Sequence, residues 1–123
     1  MSAPLLIAAA VLILCGIAHS YLGERYILMR LFRRDNLPRL FGSDWFTKRT
    51  LRWTWHITSL AWVGFAALLV LLARDAPPSP VALLQLIAAT FLLTAAVAAI
   101  ASHGRHLAWV AFLAIAVLVW LAA

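Results

Sequence analysis

Four apolar runs punctuate the chain, at residues 3–22, 53–73, 81–102 and 107–123, and none of them contains Asp, Glu, Lys or Arg. A membrane-crossing α-helix needs about 17–25 such residues at about 1.5 Å rise each. Each run therefore predicts one transmembrane helix, the last at the short limit. Outer-membrane barrel strands are shorter and alternate in polarity, which none of these runs does. The pattern predicts an all-α polytopic membrane protein, a four-transmembrane-helix bundle forming one integral domain over residues 1–123. The first run resembles a secretory signal around Ala18-His19-Ser20, but no cation precedes it. Leu14 before Cys15 is too bulky for a lipoprotein site. A permanent helix is expected.

The connections differ in kind. Arg74-Asp75-Ala76-Pro77-Pro78-Ser79-Pro80 is a proline-rich turn that stops one helix and starts the next. Ser102-His103-Gly104-Arg105-His106 predicts a tight hairpin in which Gly104 takes φ > 0. Only the 23–52 connection is long. Its Tyr26–Arg34 stretch mixes apolar and basic residues as a short interfacial helix would, and Asn36, Pro38 and Gly42 break the chain after it. Ser43 or Asp44 then caps a helix that runs on through Trp53.

Composition sharpens the class. The chain is 66% hydrophobic and 11% charged, against about 45–50% and about 25% in soluble domains. A soluble domain this small buries only roughly 60% of its surface and would aggregate. The single cysteine, Cys15, excludes a disulfide scaffold.

Charge gives orientation. The 23–52 connection carries Arg25, Arg30, Arg33, Arg34, Arg39, Lys48, Arg49 and Arg52, and the third connection adds Arg105, against Arg74 alone in the second. The positive-inside rule places those nine cations in the cytoplasm and both termini outside it. The rule requires no more than that of the basic loop. A sharper expectation is anionic-lipid binding by Arg30, Arg33, Arg34 and Arg39, since each basic residue near the leaflet adds about 1 kcal/mol. Nucleic acid is excluded as a partner, because 30 residues supply no folded phosphate-binding surface.

The histidines carry the candidate chemistry. His19, His56, His103 and His106 all fall at the expected cytoplasmic end, with Glu24 beside them, and ionisable groups at membrane depth are functional candidates. His19 shares a helical stripe with Ala8, Leu12, Cys15, Gly16 and Gly23, and His103 with Gln85, Ala88, Leu92, Ala95, Ala96 and Ala99. Small residues mark helix–helix approach, so both are expected to point inward. The direction of His106 stays open. Converging imidazoles suit Zn, Cu or Fe, so His19, His56, His103, His106 and Glu24 form a candidate metal site. His19 and His56 are also a candidate axial pair for haem. The plainer expectation is interfacial histidines hydrogen-bonded to Ser20, Ser59, Ser102 or backbone carbonyls.

Other residues point to less. Nothing cationic lies near Cys15 to activate it. Ser20 and Ser59 lack a G-x-S-x-G elbow, so no catalytic residue is assigned. Thr90 and Thr94 are expected to bond back to their own helix, and Gln85 to glue helices together. The chain lacks the discontinuous helices of a transporter.

The stretches His19-Ser20-Tyr21-Leu22-Gly23-Glu24-Arg25 and Arg52-Trp53-Thr54-Trp55-His56-Ile57-Thr58-Ser59 resemble uncharacterised small four-helix inner-membrane proteins of bacteria. The resemblance implies bacterial inner-membrane placement and imports no activity. Two function classes follow. One is a metal- or haem-binding protein serving redox, metal handling or proton relay. The other is a non-catalytic accessory or assembly subunit, held by anionic lipid and packed against another membrane protein or itself.

Overall fold

The computed structural model describes residues 1–123 and is all-helical, with no strands. Helix α1 spans Ala3–Leu31, α2 Trp45–Leu72, α3 Pro80–Ser102 and α4 Ala108–Leu121. The first three are long and apolar enough to cross a membrane. Helix α4 has 14 residues, or about 21 Å at 1.5 Å each. That falls short of the roughly 30 Å hydrocarbon core. The fourth run was expected to be a full span over 107–123, but Leu107 belongs to the preceding turn and the helix stops at Leu121, two residues before the end of the run.

The expected short interfacial helix over 26–34 is helical to Leu31, but as a continuation of α1 and not as an element of its own. The chain continues from α1 without a break, because Gly23 stays in the right-handed helical region (φ −61°) and the first strong breakers are Asn36 and Pro38. Within α1, Gly23–Leu28 is π-helical, and the Met29 amide donates to the Glu24 carbonyl five residues back. Leu40-Phe41-Gly42-Ser43 then reverses the chain, with positive φ at both central residues. Helix α2 starts where Ser43 and Asp44 led us to expect. Ser43 Oγ accepts from the Trp45 amide at 3.4 Å, while Asp44 pairs with Lys48 at 2.6 Å. The proline-rich turn also behaves as expected: Ser79 caps α3 by accepting from the Ala82 amide at 3.1 Å, and Pro80 occupies its first turn.

Each helix packs only against its neighbours in sequence: α1 on α2, α2 on α3, α3 on α4. The helices form an open row rather than a closed four-helix bundle. Neighbour pairing is all that short antiparallel connections require. Only 14 of 123 residues are buried, which leaves most of the apolar surface for contacts outside the chain. The buried stripe of α3 is Ala88, Thr94, Ala95, Ala98 and Ser102, all small, so helix backbones approach closely. Across it, a side chain at Gly64 would stand 2.7 Å from Thr90 Cγ2. Thr90 and Thr94 bond back to the Leu86 and Thr90 carbonyls at 2.9 and 2.8 Å. Gln85, expected between helices, is exposed.

The row has two distinct ends. At one, the Met1 ammonium pairs with Asp75, and the Ser2 amide donates to the Ala73 carbonyl at 2.8 Å. The basic connection and the Gly104 turn lie at the other, called the basic end below.

Candidate functional site

Toward the basic end, α1 and α2 face each other through polar side chains. Ser20 and Glu24 lie four residues apart on α1, and Arg52, His56 and Ser59 lie four and then three residues apart on α2, which puts each set on one helix face. Arg52 clasps Glu24 with two bonds, Nη2 to Oε1 at 2.9 Å and Nε to Oε2 at 3.2 Å. This is the bidentate geometry that makes guanidinium–carboxylate pairs strong. Glu24 Oε2 also meets His56 Nε2 at 3.3 Å. The other ring nitrogen, Nδ1, lies 3.0 Å from Ser20 Oγ. Ser20 Oγ is 2.8 Å from Ser59 Oγ, which is 3.2 Å from His19 Nδ1.

Arg52, Glu24, His56, Ser20, Ser59 and His19 thus form one unbroken chain of hydrogen bonds. It runs inward: Glu24 to His19 is five residues on α1, about 7.5 Å of helix. Glu24 and His56 keep about a third of their side-chain surface exposed, so water reaches this end. Ser59 at the inner end is buried.

Aromatic rings wall the inner end. His19 stacks on Trp55 with centroids 4.6 Å apart and planes within 9°, and Trp62 tilts against it at 5.1 Å. The Trp55 indole N–H donates to the His19 carbonyl at 3.0 Å. Gly23, the first residue of the π segment, makes room for this indole, since a Cβ there would collide with it. π segments recur at functional sites because they re-aim the residues around them.

The proton count of the chain is instructive. Arg52 is donor-only, Glu24 as a carboxylate is acceptor-only, each hydroxyl has one hydrogen, and a neutral imidazole has one donor and one acceptor. If Ser20 donates to Ser59 and Ser59 to His19, Ser20 must accept from His56 Nδ1–H. The Glu24–His56 contact then needs a second proton. If the hydroxyls turn the other way, His19 Nδ1–H donates to Ser59, Ser59 to Ser20 and Ser20 to His56 Nδ1, and His56 Nε2–H serves Glu24. The second orientation satisfies every group with both imidazoles neutral, and the first does so with a second proton on His56. Passing that proton along the two hydroxyls, so that His19 holds it, turns the first orientation into the second.

The five residues expected to share a metal do not meet. His103 and His106 stand in a second group, against the first turns of α2. His103 lies edge-on to Trp45 at 5.4 Å, while His106 stacks on Phe46 at 5.9 Å and meets Trp53 at 5.0 Å. Three His, Cys, Asp or Glu side chains nowhere converge as a metal ion needs. The inward direction expected of His103 is also reversed. The helix ends at Ser102, and His103 takes the left-handed conformation (φ 53°) that closes it, with the Gly104 amide on the Ala99 carbonyl at 2.8 Å. His103 therefore leaves the helical stripe and is exposed, whereas His106 is half-buried and accepts from the Ala108 amide at 3.2 Å. Cys15 is exposed as well.

Of the arginines expected to hold lipid, Arg30 lies over the Tyr26 ring at 5.8 Å and lines a shallow hollow with Arg25 and Arg33, while Arg34 and Arg39 are exposed in the loop. The residues that the sequence did not single out are Arg52, Trp55 and Gly23. The spacing of Ser20 with Glu24 and of Arg52 with His56 was a usable signal for the first. Comparison with protein-family models, curated proteins and solved structures gives no match.

Proposed function

We propose that this chain is a small inner-membrane protein whose α1–α2 junction relays protons between Glu24, at the cytoplasmic headgroup layer, and His19, inside the apolar span. One observation carries this reading: the unbroken chain Glu24–His56–Ser20–Ser59–His19, which is satisfied in two orientations. Histidine suits the role because its unperturbed charge change falls between pH 5 and 8. Ligation of a metal or haem by His19 and His56 is less well supported. Both ring nitrogens of His56 and Nδ1 of His19 are already engaged within the fold.

The test is solvent exchange of the imidazole protons, read by ¹⁵N-resolved NMR of the protein in nanodiscs. Ser20→Ala removes the central link. It is expected to slow exchange at His19 by about a hundredfold or more, the contribution typical of a positioned proton-transfer group. His56, which reaches Glu24 directly, should stay near native, and Ser20→Thr should restore His19. Unchanged exchange at His19 in a folded Ser20→Ala protein ends the relay reading.

An accessory-subunit role has its own support. Gln85 lies exposed on an open row of helices, and an amide at apolar depth gains by bonding across to another helix. A photo-cross-linker at position 85 is expected to capture one protein species, either a second copy or a fixed partner, in native membranes. Cross-links to lipid alone would remove this reading.

A further inference from the structure

We propose that Trp45, Arg49 and Arg105 form a receptor for the phosphate of an anionic phospholipid headgroup. Arg49, on the first turns of α2, lies over the Trp45 ring at 5.2 Å, and Arg105, from the α3–α4 turn, lies over the same ring at 5.3 Å. Two segments far apart in sequence thus bring like charges to one indole. Such a pair repels unless an anion lies between or beside its members. The chain does not supply one. Of its four carboxylates, Glu24 is held by Arg52 and His56, Asp44 by Lys48 and Asp75 by the Met1 ammonium, and Asp35 pairs with nothing. The Arg49 Nη1 bond to the Ala101 carbonyl at 3.3 Å fixes that guanidinium to the end of α3. His103 completes the rim, edge-on to Trp45 at 5.4 Å. Asp44 precedes Trp45 but is tied to Lys48, no carboxylate pairs with Arg49 or Arg105, and guanidinium forks match phosphate geometry.

Depth argues for a lipid source, given the membrane reading of the helices. The uncharged part of α2, from Trp53 to Leu72, is about 30 Å long, the thickness of the hydrocarbon core. Arg49 stands about 6 Å beyond it, in the headgroup layer, and Trp45 one turn further out, at the outer edge of that layer. Tryptophan is enriched at that depth. This receptor differs from the arginines of the 30–39 stretch and does not depend on the proton relay.

Binding of phosphatidylglycerol, phosphatidylcholine and inorganic phosphate to the detergent-solubilised full chain tests the assignment by native mass spectrometry. The native protein is expected to retain phosphatidylglycerol at least about tenfold better than phosphatidylcholine. R49Q/R105Q should lose about thirtyfold at low salt, since each of two cations near a leaflet adds about one unit in kcal/mol. R49K/R105K should fall between them, because it keeps charge without stacking. R74Q, at the opposite end of the row, is the control and should lose less than about threefold. An R49Q/R105Q protein that unfolds with the native profile yet binds phosphatidylglycerol like native overturns the proposal, and so does an equal loss in R74Q. Inorganic phosphate binding as tightly as phosphatidylglycerol would make the source a free anion and overturn the lipid assignment.

Discussion

Gly23→Ala is expected to pull α1 and α2 apart at their polar end. A Cβ at this position would meet Nε1 and Cε2 of the Trp55 indole and stand 2.6 Å from Cζ2, where real Cβ contacts do not occur. The indole must leave, losing its bond to the His19 carbonyl and its stack on His19. Overpacking costs about 1–3 kcal/mol and the lost bond about 1 kcal/mol. Alanine returns about 1 kcal/mol of helix propensity, because Gly23 already has right-handed helical angles. The clash wins, and a net loss of about 1–3 kcal/mol is expected in denaturant unfolding. The cause is isolated by a double-mutant cycle. In a Trp55→Ala background the same substitution should be neutral or stabilising, and a cost equal in both backgrounds would place the damage elsewhere.

Glu24→Gln is expected to lock the relay in one direction. The variant is isosteric, so packing is conserved and only donor and acceptor roles change. Arg52 can only donate, so the amide oxygen keeps the shorter Nη2 bond at the Oε1 place, and the NH₂ takes the Oε2 place at the cost of the longer Nε bond. There it faces His56 Nε2, and that nitrogen must accept. His56 then carries its proton on Nδ1, donates to Ser20, and through Ser20 and Ser59 forces His19 Nδ1 to accept, with its own proton on Nε2. In the native protein the carboxylate draws a proton onto the Glu24–His56 contact. Imidazole ¹⁵N shifts should therefore show both histidines moving to single fixed tautomers in the variant, with His56 as Nδ1–H and His19 as Nε2–H. Exchange at His19 should fall as far as in Ser20→Ala. A His56 that keeps its Nε2 proton in Glu24→Gln would contradict the wire.

Element type and most boundaries were legible because they rest on one-dimensional signals. Charge-free runs fixed where helices lie, Ser79-Pro80 fixed the start of α3, and Ser43-Asp44 fixed the start of α2. The π segment was not legible, since Gly23–Leu28 has no composition that separates it from an α-helix. Nor was the left-handed cap at His103, because Gly104 is the better candidate by conformational cost, and the structure uses both. The pairing of His19 with His56, and their separation from His103 and His106, depends on the rotation of each helix and on which helices touch. A face inferred from small residues gave the inward direction of His19. It failed for His103, which lies one residue beyond the last helical position.

The row arrangement bears on how the protein is made. Every helix–helix interface joins neighbours in the chain, and only the α3–α4 turn reaches back, through His103, Arg105 and His106, to the first turns of α2. Folds built from local contacts form quickly and expose little unsatisfied surface on the way. Each hairpin can settle as it is synthesised, α1 on α2 with its histidine–serine network already closed, then α3, then α4. The order of synthesis and the order of packing are the same. A chain cut in the 103–107 turn would lose only the last interface and keep the first two.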